Sequence, residues 1–396
     1  MDENTPVGKR IAYYRKRRGM HQAHLAGQVG RSVPWLSRIE RGQRTIEKVA
    51  DLLALARVLK VEPGDLIGGI SLPPNGGAPL DPPRGIIAVR RAVVAVRPPD
   101  QEPPTVAELR AAVEHANQVE WNGSYQRSAV LLPETLAAAR AGVAAEVPGA
   151  WGWLSAAYRI ASRLARNLGE RDLVALAADR AINAAQRAGD GLAVAASTRH
   201  LAFGLLSLGL VDEAGGVCSD GADSIAPTNA TLLEGWSLWG SLQLTGAVAA
   251  AREQDHTGAR RMLREARTAA ERVGPDRNDY WECFGPANVG AHEVAVALEL
   301  GDVTEALRIA DGVELDELSV NSRRVRFLVD IARAHELRRD DPATVSVLLE
   351  AERYSPEGLR HQVAAREMVR VCLKRERKSR TPGLRGLAER LGVTTD

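Results

Sequence analysis

Apolar residues near the start of the chain recur at the three- and four-residue spacing of short amphipathic helices. Leu25 and Val29 mark the buried side of one such helix, and Leu36 and Ile39 mark that of the next. Gly30 stands between the two helices and favours a tight turn. The pattern over residues 5–67 predicts five short helices, in which the second and third form a helix-turn-helix.

The third predicted helix carries a polar and basic face opposite its two apolar positions. Ser32 is a suitable N-cap, and Pro34 is tolerated in a first turn because the N–H groups there lack intrahelical partners. Such a face suits the major groove of DNA. The residues expected on this face or at the ends of the helix are Arg31, Ser32, Val33, Pro34, Ser37, Arg38 and Arg41.

Individual roles follow from side-chain chemistry. The guanidinium of Arg38 is placed to reach guanine O6 and N7, a contact that contributes about 1–3 kcal/mol of discrimination. Val33 and Pro34 are candidates for contacts with thymine methyl groups. Phosphate contacts are expected from the flanking arginines Arg31, Arg41 and Arg44. Trp35 is left open between burial and a contact with the DNA backbone.

The same region resembles the XRE family of phage-repressor (Cro-type) helix-turn-helix proteins. The matching positions are Gln22, Leu25, Ala26, Gly30, Ser32 and the run from Leu36 to Gly42, LSRIERG. The resemblance implies that Gln22 braces a phosphate and that Arg15 pairs with Glu40. It also implies that the third helix enters the major groove.

Charge is distributed unevenly along the chain although the net charge is only +2. Residues 1–66 hold 13 Lys and Arg against 7 Asp and Glu, whereas the segment 67–369 is acidic overall. A basic head suggests a polyanionic partner such as double-stranded DNA. A solvated charged face is the alternative interpretation of this charge.

Proline density and periodicity divide the rest of the chain. Nine of the 20 prolines fall between residues 68 and 104, which predicts a semi-rigid linker, with the apolar stretch 86–96 open between helix and strand. Helical patterns then continue almost to the end. The predicted division is a helix-turn-helix domain at 1–67, a linker at 68–104, a helical repeat domain at 105–380 and a tail or capping helix at 381–396.

A weak internal repeat supports a solenoid in the third region. Turn-like positions at Gly169, Gly209, Gln254, Gly301 and Asp340 are separated by 40, 45, 47 and 39 residues. A small residue follows five positions after three of these turns, at Ala214, Ala259 and Ala306. Helix pairs of this kind bury their apolar faces against their neighbours and stack into a superhelix with a concave surface. The expected fold is therefore all-α.

The repeat region resembles a tetratricopeptide-repeat solenoid, although its spacing is longer than the usual one. The domain order is similar to that of actinobacterial XRE–tetratricopeptide regulators and, more distantly, of RRNPP-type receptors for signalling peptides. That resemblance implies a cytoplasmic homodimer that binds an inverted-repeat operator and is controlled, as in quorum sensing, by an effector on the concave surface. The effector is expected to be a peptide, with a small molecule or a protein partner as alternatives.

Polar and aromatic side chains on otherwise apolar helices are the candidates for the effector site. Core packing is the competing interpretation, above all for the two tryptophans. The candidates are His200, Trp236, Trp239, Gln243, Asn288, His292 and Arg324.

Other classes of function find little support in the sequence. Cys218, Cys283 and Cys372 form no CxxC pair, so neither a disulfide scaffold nor a metal site is expected. The polar N-terminus and the absence of an uncharged apolar run predict neither a signal peptide nor a membrane span. No catalytic or cofactor-binding motif is present, so we expect no enzyme and no cofactor. An interaction scaffold without DNA binding is the main alternative.

Overall fold

A computed structural model describes residues 7–17, 20–44, 46, 49–59, 85–97, 99–227, 232–376 and 381–393. Within these ranges every regular element is a helix, apart from one isolated bridge between Arg277 and Phe284. The predicted all-α fold is therefore confirmed. The chain divides into two compact units, a head (Met1–Ala78) and a repeat domain (Pro79–Asp396).

The described part of the head contains four helices around one apolar core. They are α1 (Val7–Arg17), α2 (Gln22–Gln28), α3 (Val33–Glu40) and α4 (Val49–Leu59). The core includes Ile11, Leu25, Leu36 and Leu55, none of which is exposed to solvent. The fifth predicted helix, around residues 62–68, lies outside the described residues, as does most of the proline-rich segment.

The repeat domain consists of sixteen helices within the described ranges. The first eight are α5 (Ile86–Val94), α6 (Val106–Trp121), α7 (Tyr125–Ala144), α8 (Ala150–Leu168), α9 (Arg171–Ala188), α10 (Gly191–Leu208), α11 (Val211–Ser224) and α12 (Leu233–Arg252). The others are α13 (His256–Val273), α14 (Pro286–Glu299), α15 (Val303–Ala310), α16 (Asn321–Leu337), α17 (Asp341–Tyr354), α18 (Pro356–His361), α19 (Val363–Arg375) and α20 (Leu384–Arg390).

Helices α6 to α17 form six hairpins, and the predicted turns lie inside five of them. The backbone reverses through a left-handed residue in each of these turns, at Gly169, Gly209, Gln254, Gly301 and Arg339. Glycine adopts that conformation without a steric cost, which explains why three of the five positions are glycine. The helical repeat predicted from the sequence is confirmed.

Small residues let the two helices of a hairpin approach closely. Ala214, Ala259 and Ala306 are fully buried near the start of the second helix of their hairpins. In two of these hairpins an aspartate caps the second helix: Asp255 accepts from Gly258 N and Asp302 accepts from Glu305 N. These caps satisfy backbone donors that the first turn leaves unpaired.

The first helices of the hairpins pack on one another in a continuous row. We call α6, α8, α10, α12, α14 and α16 the inner helices, since each contacts the next and α16 continues the row to α19. Their partners α7, α9, α11, α13, α15 and α17 are the outer helices. A stack of this kind is the α-solenoid architecture, in which each repeat buries its apolar face against its neighbours.

The two ends of this solenoid meet. Glu357 Oε1, on α18, accepts a hydrogen bond of 2.7 Å from the backbone N–H of Gln126 at the start of α7. The rings of Tyr125 and His361 lie 6.2 Å apart. Because α18 also contacts α8, the row of inner helices turns back on itself and encloses its inner face.

Residues 86–94 lie in the region expected to be a linker, but they form a helix of the repeat domain. Helix α5 packs on α7 through Ile86, Val89 and Val93, which are buried. Arg90 adds ion pairs with Glu170 and Asp172 of the α8–α9 hairpin. The open question about this stretch is therefore decided in favour of a docked helix.

Residues 274–285, the inserted segment, interrupt the regular repeat between α13 and α14. Three of its residues are left-handed without being glycine: Tyr280 (φ 50°), Trp281 (φ 65°) and Cys283 (φ 46°). Its anchor is Phe284, a fully buried side chain that fits against Gly240 of α12. A β-carbon at position 240 would lie 2.1 Å from the Phe284 ring, so only glycine leaves room for this anchor.

Among the described helices, α10 alone is long and apolar enough to cross a membrane by length and composition. Half of that stretch is buried inside the repeat domain. Near the C-terminal end of the chain, Leu384 and Leu387 of α20 are buried in an apolar cluster together with residues of α16, α17 and α19. Residues 377–380 of the basic run at 373–380 lie outside the described residues.

Candidate functional site

Helix α3 is fixed by one apolar side and one cap. Leu36, Ile39 and Trp35 are buried, the tryptophan with 9% of its surface exposed. Ser32 Oγ accepts a hydrogen bond of 3.4 Å from Trp35 N, and Pro34 occupies the first turn. The buried position of Trp35 decides the question that the sequence left open, because a core side chain cannot also lie along the DNA backbone.

The opposite side of α3 faces solvent. Val33 is 40% exposed, and Pro34 and Arg38 are exposed as well. Arg41 Nε donates to the carbonyl of Ser37 at 3.2 Å, which holds the arginine along the helix end. This surface offers methyl groups, a hydroxyl and guanidinium groups side by side.

Arg38 and Arg44 are the exposed cations of this surface without an ion pair or side-chain hydrogen bond among the described residues. Ser32, also exposed, lies at the start of the same helix. A free guanidinium has all five of its N–H donors available for a ligand. Of the predicted DNA-contacting set, Arg38 therefore has the chemistry and the exposure for a base contact.

A buried polar network ties α1, α2 and α3 together. Arg15 makes two hydrogen bonds with Glu40, of 2.6 Å (Nε to Oε1) and 2.8 Å (Nη2 to Oε2), and a third with the carbonyl of Met20. Glu40 also accepts from Gln22 Nε2 at 2.7 Å. The bond with Glu40 raises the pKa of Arg15 above its usual value. The carboxylate thus fixes the angle between α3 and the two helices before it.

Arg31, one of the expected phosphate contacts, has an ion-pair partner inside the head. Its guanidinium is held by Asp51 of α4 through bonds of 2.8 to 3.0 Å, and it lies 5.5 Å from the centre of the Trp35 ring. The charge is already compensated inside the head. Arg31 therefore supports the orientation of α3, and its expected phosphate contact stays a prediction.

In the repeat domain, three of the predicted effector residues come together on the inner face. His200 of α10 and Asn288 of α14 bond to the inserted segment, and His292 follows Asn288 by one turn of α14. The segment places Glu282 between them, with 1% of its surface exposed. Candidate residues from two separate helices thus lie close together in the structure.

Glu282 is the central acceptor of this site. Its Oε2 accepts from Arg199 Nη1 at 2.5 Å, and its Oε1 lies 2.8 Å from His200 Nε2. Burial lowers the pKa of His200 to about 4, so at neutral pH the ring is uncharged and donates its Nε2–H. Although burial opposes the charge, His200 and Arg199 lower the pKa of Glu282 below its usual range.

Arg323 of α16 joins the same site from the other side. It donates to Asn288 Oδ1 at 2.7 Å and to the carbonyl of Glu282. Asn288 Nδ2 in turn donates to the carbonyl of Cys283 at 2.6 Å. The asparagine is thus occupied by internal partners, and it holds the inserted segment in place.

His292 is kept neutral in these surroundings. Its Nδ1 lies 2.9 Å from the carbonyl of Asn288, which fixes the proton on that nitrogen. Burial, together with the positive charges of Arg199 and Arg323, lowers the pKa of His292 to about 3. The other ring nitrogen is therefore an acceptor.

The other predicted effector residues lie elsewhere. Trp236 and Trp239 form an edge-to-face pair, 5.9 Å apart, that packs against the apolar cluster containing Phe284. Gln243 is half-buried on the same helix. Arg324 donates to the carbonyls of Leu315 and Asp316. Core packing thus accounts for the tryptophans, and Arg324 fixes a loop instead of facing the inner site.

The residues that sequence reasoning missed are mostly arginines. Arg159, Arg163 and Arg166 recur at spacings of four and three along α8, a stripe that the sequence displays. Arg199 and Arg323 are adjacent in sequence to the candidates His200 and Arg324. Arg199 bonds to the Glu282 carboxylate, and Arg323 bonds to the Glu282 carbonyl. No sequence signal pointed to Glu282, because only the path of the inserted segment brings it to Arg199.

Comparison with known families identifies the head. The family model described as a helix-turn-helix domain matches residues 7–67. Helices α1 to α4, which lie in this range, belong to a helix-turn-helix domain. The match covers the same helices that carry the Arg15–Glu40 network and the exposed face of α3.

Two solved structures resemble the whole chain at low similarity. PlcR from Bacillus thuringiensis, in complex with the peptide PapR7 and DNA, is 10% identical, covers 84% of this chain and 98% of its own, and gives a TM-score of 0.37. ComR from S. thermophilus, in complex with DNA and its signalling peptide ComS, is 10% identical, covers 88% and 99%, and gives a TM-score of 0.27. No curated protein matches the chain in sequence.

Proposed function

We propose that this protein is a sequence-specific DNA-binding transcriptional regulator. The observation that carries the proposal is the contrast between the two sides of α3. Trp35, Leu36 and Ile39 lock the helix into the head, while Arg38 projects from the other side without a side-chain partner among the described residues. An exposed helix with this chemistry, after a tight turn, is the reading element of a helix-turn-helix domain.

In this proposal each exposed group has a separate task. Arg38 reads a guanine, and Val33 and Pro34 touch thymine methyl groups. Arg41, Arg44 and Ser32 hold phosphates and set the register. Gln22 donates one amide N–H to Glu40 and keeps the other for a phosphate oxygen. Ser37, half-buried beside Arg41, completes the surface.

We further propose that the repeat domain is the regulatory part of the protein. It would bind an effector, in the first place a peptide, on its inner face and mediate formation of a homodimer. Two heads would then read half-sites of an inverted repeat about 34 Å apart. The convergence of polar groups around Glu282 and Arg323 on the inner face supports an internal binding site.

Selection of binding sites from random duplex DNA tests the first proposal. We expect the full-length protein, at about 150 mM salt, to enrich an inverted repeat, because nonspecific phosphate contacts are weakened at that ionic strength. Arg38→Ala should lose about 1–3 kcal/mol of discrimination at one base pair. Arg110→Ala, which changes an exposed arginine on α6, is the control and should select the wild-type sequence.

The result also separates the proposal from its main alternative. If wild-type protein enriches no sequence, or if Arg38→Ala selects the same motif as wild type, then α3 is not the reading element. An interaction scaffold would then be the better interpretation of the repeat domain.

A further inference from the structure

The inner face of the repeat domain contains more arginine charge than its carboxylates neutralise. Arg163 pairs with Glu120, and Arg199 pairs with Glu282. Three further arginines have no carboxylate within ion-pair distance among the described residues. These are Arg159, Arg166 and Arg323.

Arg166 is the most exposed of the three. Its Cζ lies 4.2 Å from the centre of the Phe203 ring, and Arg199 Cζ approaches the same ring at 4.8 Å. Burial by the surrounding helices and the positive charges of Arg199, Arg326 and Arg323 lower the pKa of Arg166 to about 9. The guanidinium of Arg166 is thus accessible to a ligand and lies among other positive charges.

Two of the positive charges that act on Arg166 belong to a distant inner helix. Arg166 belongs to α8, whereas Arg323 and Arg326 belong to α16, four inner helices further along. The contact between α18 and α8 closes the row and brings these helices to face one another. Like charges in this arrangement repel each other and favour an anion between them.

Arg159 and Arg323 strengthen this field. Arg159 has 3% of its surface exposed, and its Nε has no hydrogen-bond partner among the described residues. Arg323 uses its guanidinium for an amide and a backbone carbonyl, both uncharged acceptors. A buried or half-buried cation without a counterion costs folding free energy, so its retention points to a partner that supplies the negative charge.

The inserted segment shows that this face can hold a carboxylate. Glu282 is bound there by Arg199 and His200 with bonds of 2.5 and 2.8 Å. Planar guanidinium groups recognise carboxylate and phosphate oxygens through paired, charge-assisted hydrogen bonds. The chain's own carboxylate satisfies Arg199 and leaves Arg166 and Arg323 for a second anion.

We infer that the inner face binds an effector through an anionic oxygen group, a carboxylate or a phosphate, held by Arg166 and Arg323. Arg159 adds to the attracting field. This inference rests on the proposed function in one respect, that the repeat domain binds an effector. It specifies the chemistry of that effector: the ligand carries negative charge at the end that enters the solenoid.

Titration calorimetry of the full-length protein tests the inference with two probes, citrate for carboxylates and pyrophosphate for phosphates, at constant ionic strength. We expect at least one probe to bind and Arg166→Gln and Arg323→Gln each to weaken it at least about tenfold. Arg264→Gln, an exposed arginine on the outer helix α13, should bind like wild type. The stronger probe identifies the source of the anionic group.

Thermal unfolding without probe guards against a folding artefact. Since Arg166 has no carboxylate within ion-pair distance among the described residues, Arg166→Gln should unfold at the same temperature as wild type or higher. If neither probe binds, or if all three variants bind equally, the inference is wrong. DNA-site selection is independent of it: an enriched motif without anion binding contradicts this inference alone, and anion binding without a motif contradicts the proposed regulator alone.

Discussion

At the scale of single residues, Glu282 is a buried carboxylate with several partners on the inner face. It receives a guanidinium and an imidazole, and its own carbonyl accepts from Arg323. All of these groups are buried or half-buried. Removing one member of a buried ion pair leaves the other charge uncompensated, which costs far more than the loss of an exposed pair.

Glu282→Gln should therefore destabilise the repeat domain by about 3 kcal/mol, because it leaves Arg199 without its counterion. The matched control is Glu305→Gln, which removes the exposed pair with Arg308 and should leave the stability nearly unchanged. Urea unfolding at neutral pH measures both. Equal effects of the two changes would contradict the structural role assigned to Glu282.

At the scale of elements, α1 and α3 touch at a point where only glycine fits. A β-carbon on Gly8 would lie 1.9 Å from the carbonyl oxygen of Ile39. The two backbones can approach closely there because Gly8 has no side chain, and the Arg15–Glu40 pair then locks them together. The orientation of α3 thus depends on a position outside its own sequence.

Gly8→Ala is expected to force α1 away from α3 and to destabilise the head by about 1–3 kcal/mol. Gly27→Ala is the control, since a β-carbon at position 27 would meet nothing within 4 Å. This substitution should stabilise α2 by about 0.5–1 kcal/mol. Hydrogen exchange of α1 and α3 amides in the full-length protein measures both. Slower exchange in Gly8→Ala than in wild type would argue against the close contact.

At the scale of the whole molecule, three histidines of the repeat domain are held in their neutral form. Burial lowers the pKa of His200 to about 4, of His292 to about 3 and of His361 to about 4. The unfolded chain takes up protons on these rings below about pH 6.5, whereas the folded chain does so only at lower pH. Stability is therefore full above that pH and is lost as the pH falls toward 4.

The free energy of unfolding should accordingly decrease between pH 7.5 and 5, by about 2 kcal/mol for each histidine that stays neutral in the fold. Urea titrations at a series of pH values measure this dependence. His292→Asn should make the dependence shallower. An unchanged slope in that variant would mean that the ring is protonated in the folded protein.

The sequence predicted the local features of both units well. Leu36 and Ile39 fix one side of α3, and Ser32 and Pro34 define its start, all within a few residues of one another. The repeat turns were equally local, because a left-handed residue such as Gly209 or Gly301 marks its own position. What the sequence left undecided were contacts between distant segments, among them the pair Arg31–Asp51 and the docking of α5.

The effector candidates illustrate the same limit. His200, Asn288 and His292 were found because a polar residue on an apolar helix is visible in the sequence. Trp236 and Trp239 followed the same rule but serve the core, since helical spacing does not distinguish an inner face from a packed one.

The sequence by itself determined that the chain folds into helices, that α3 presents a basic face and that the second unit is a stack of hairpins. These properties depend on periodicity, caps and turn residues, which act over a few positions. Only the tertiary structure decided which charges meet. Closure of the solenoid sets Arg166 opposite Arg323, and the inserted segment brings Glu282 to Arg199, because burial and Coulomb interactions depend on distance in space and not along the chain.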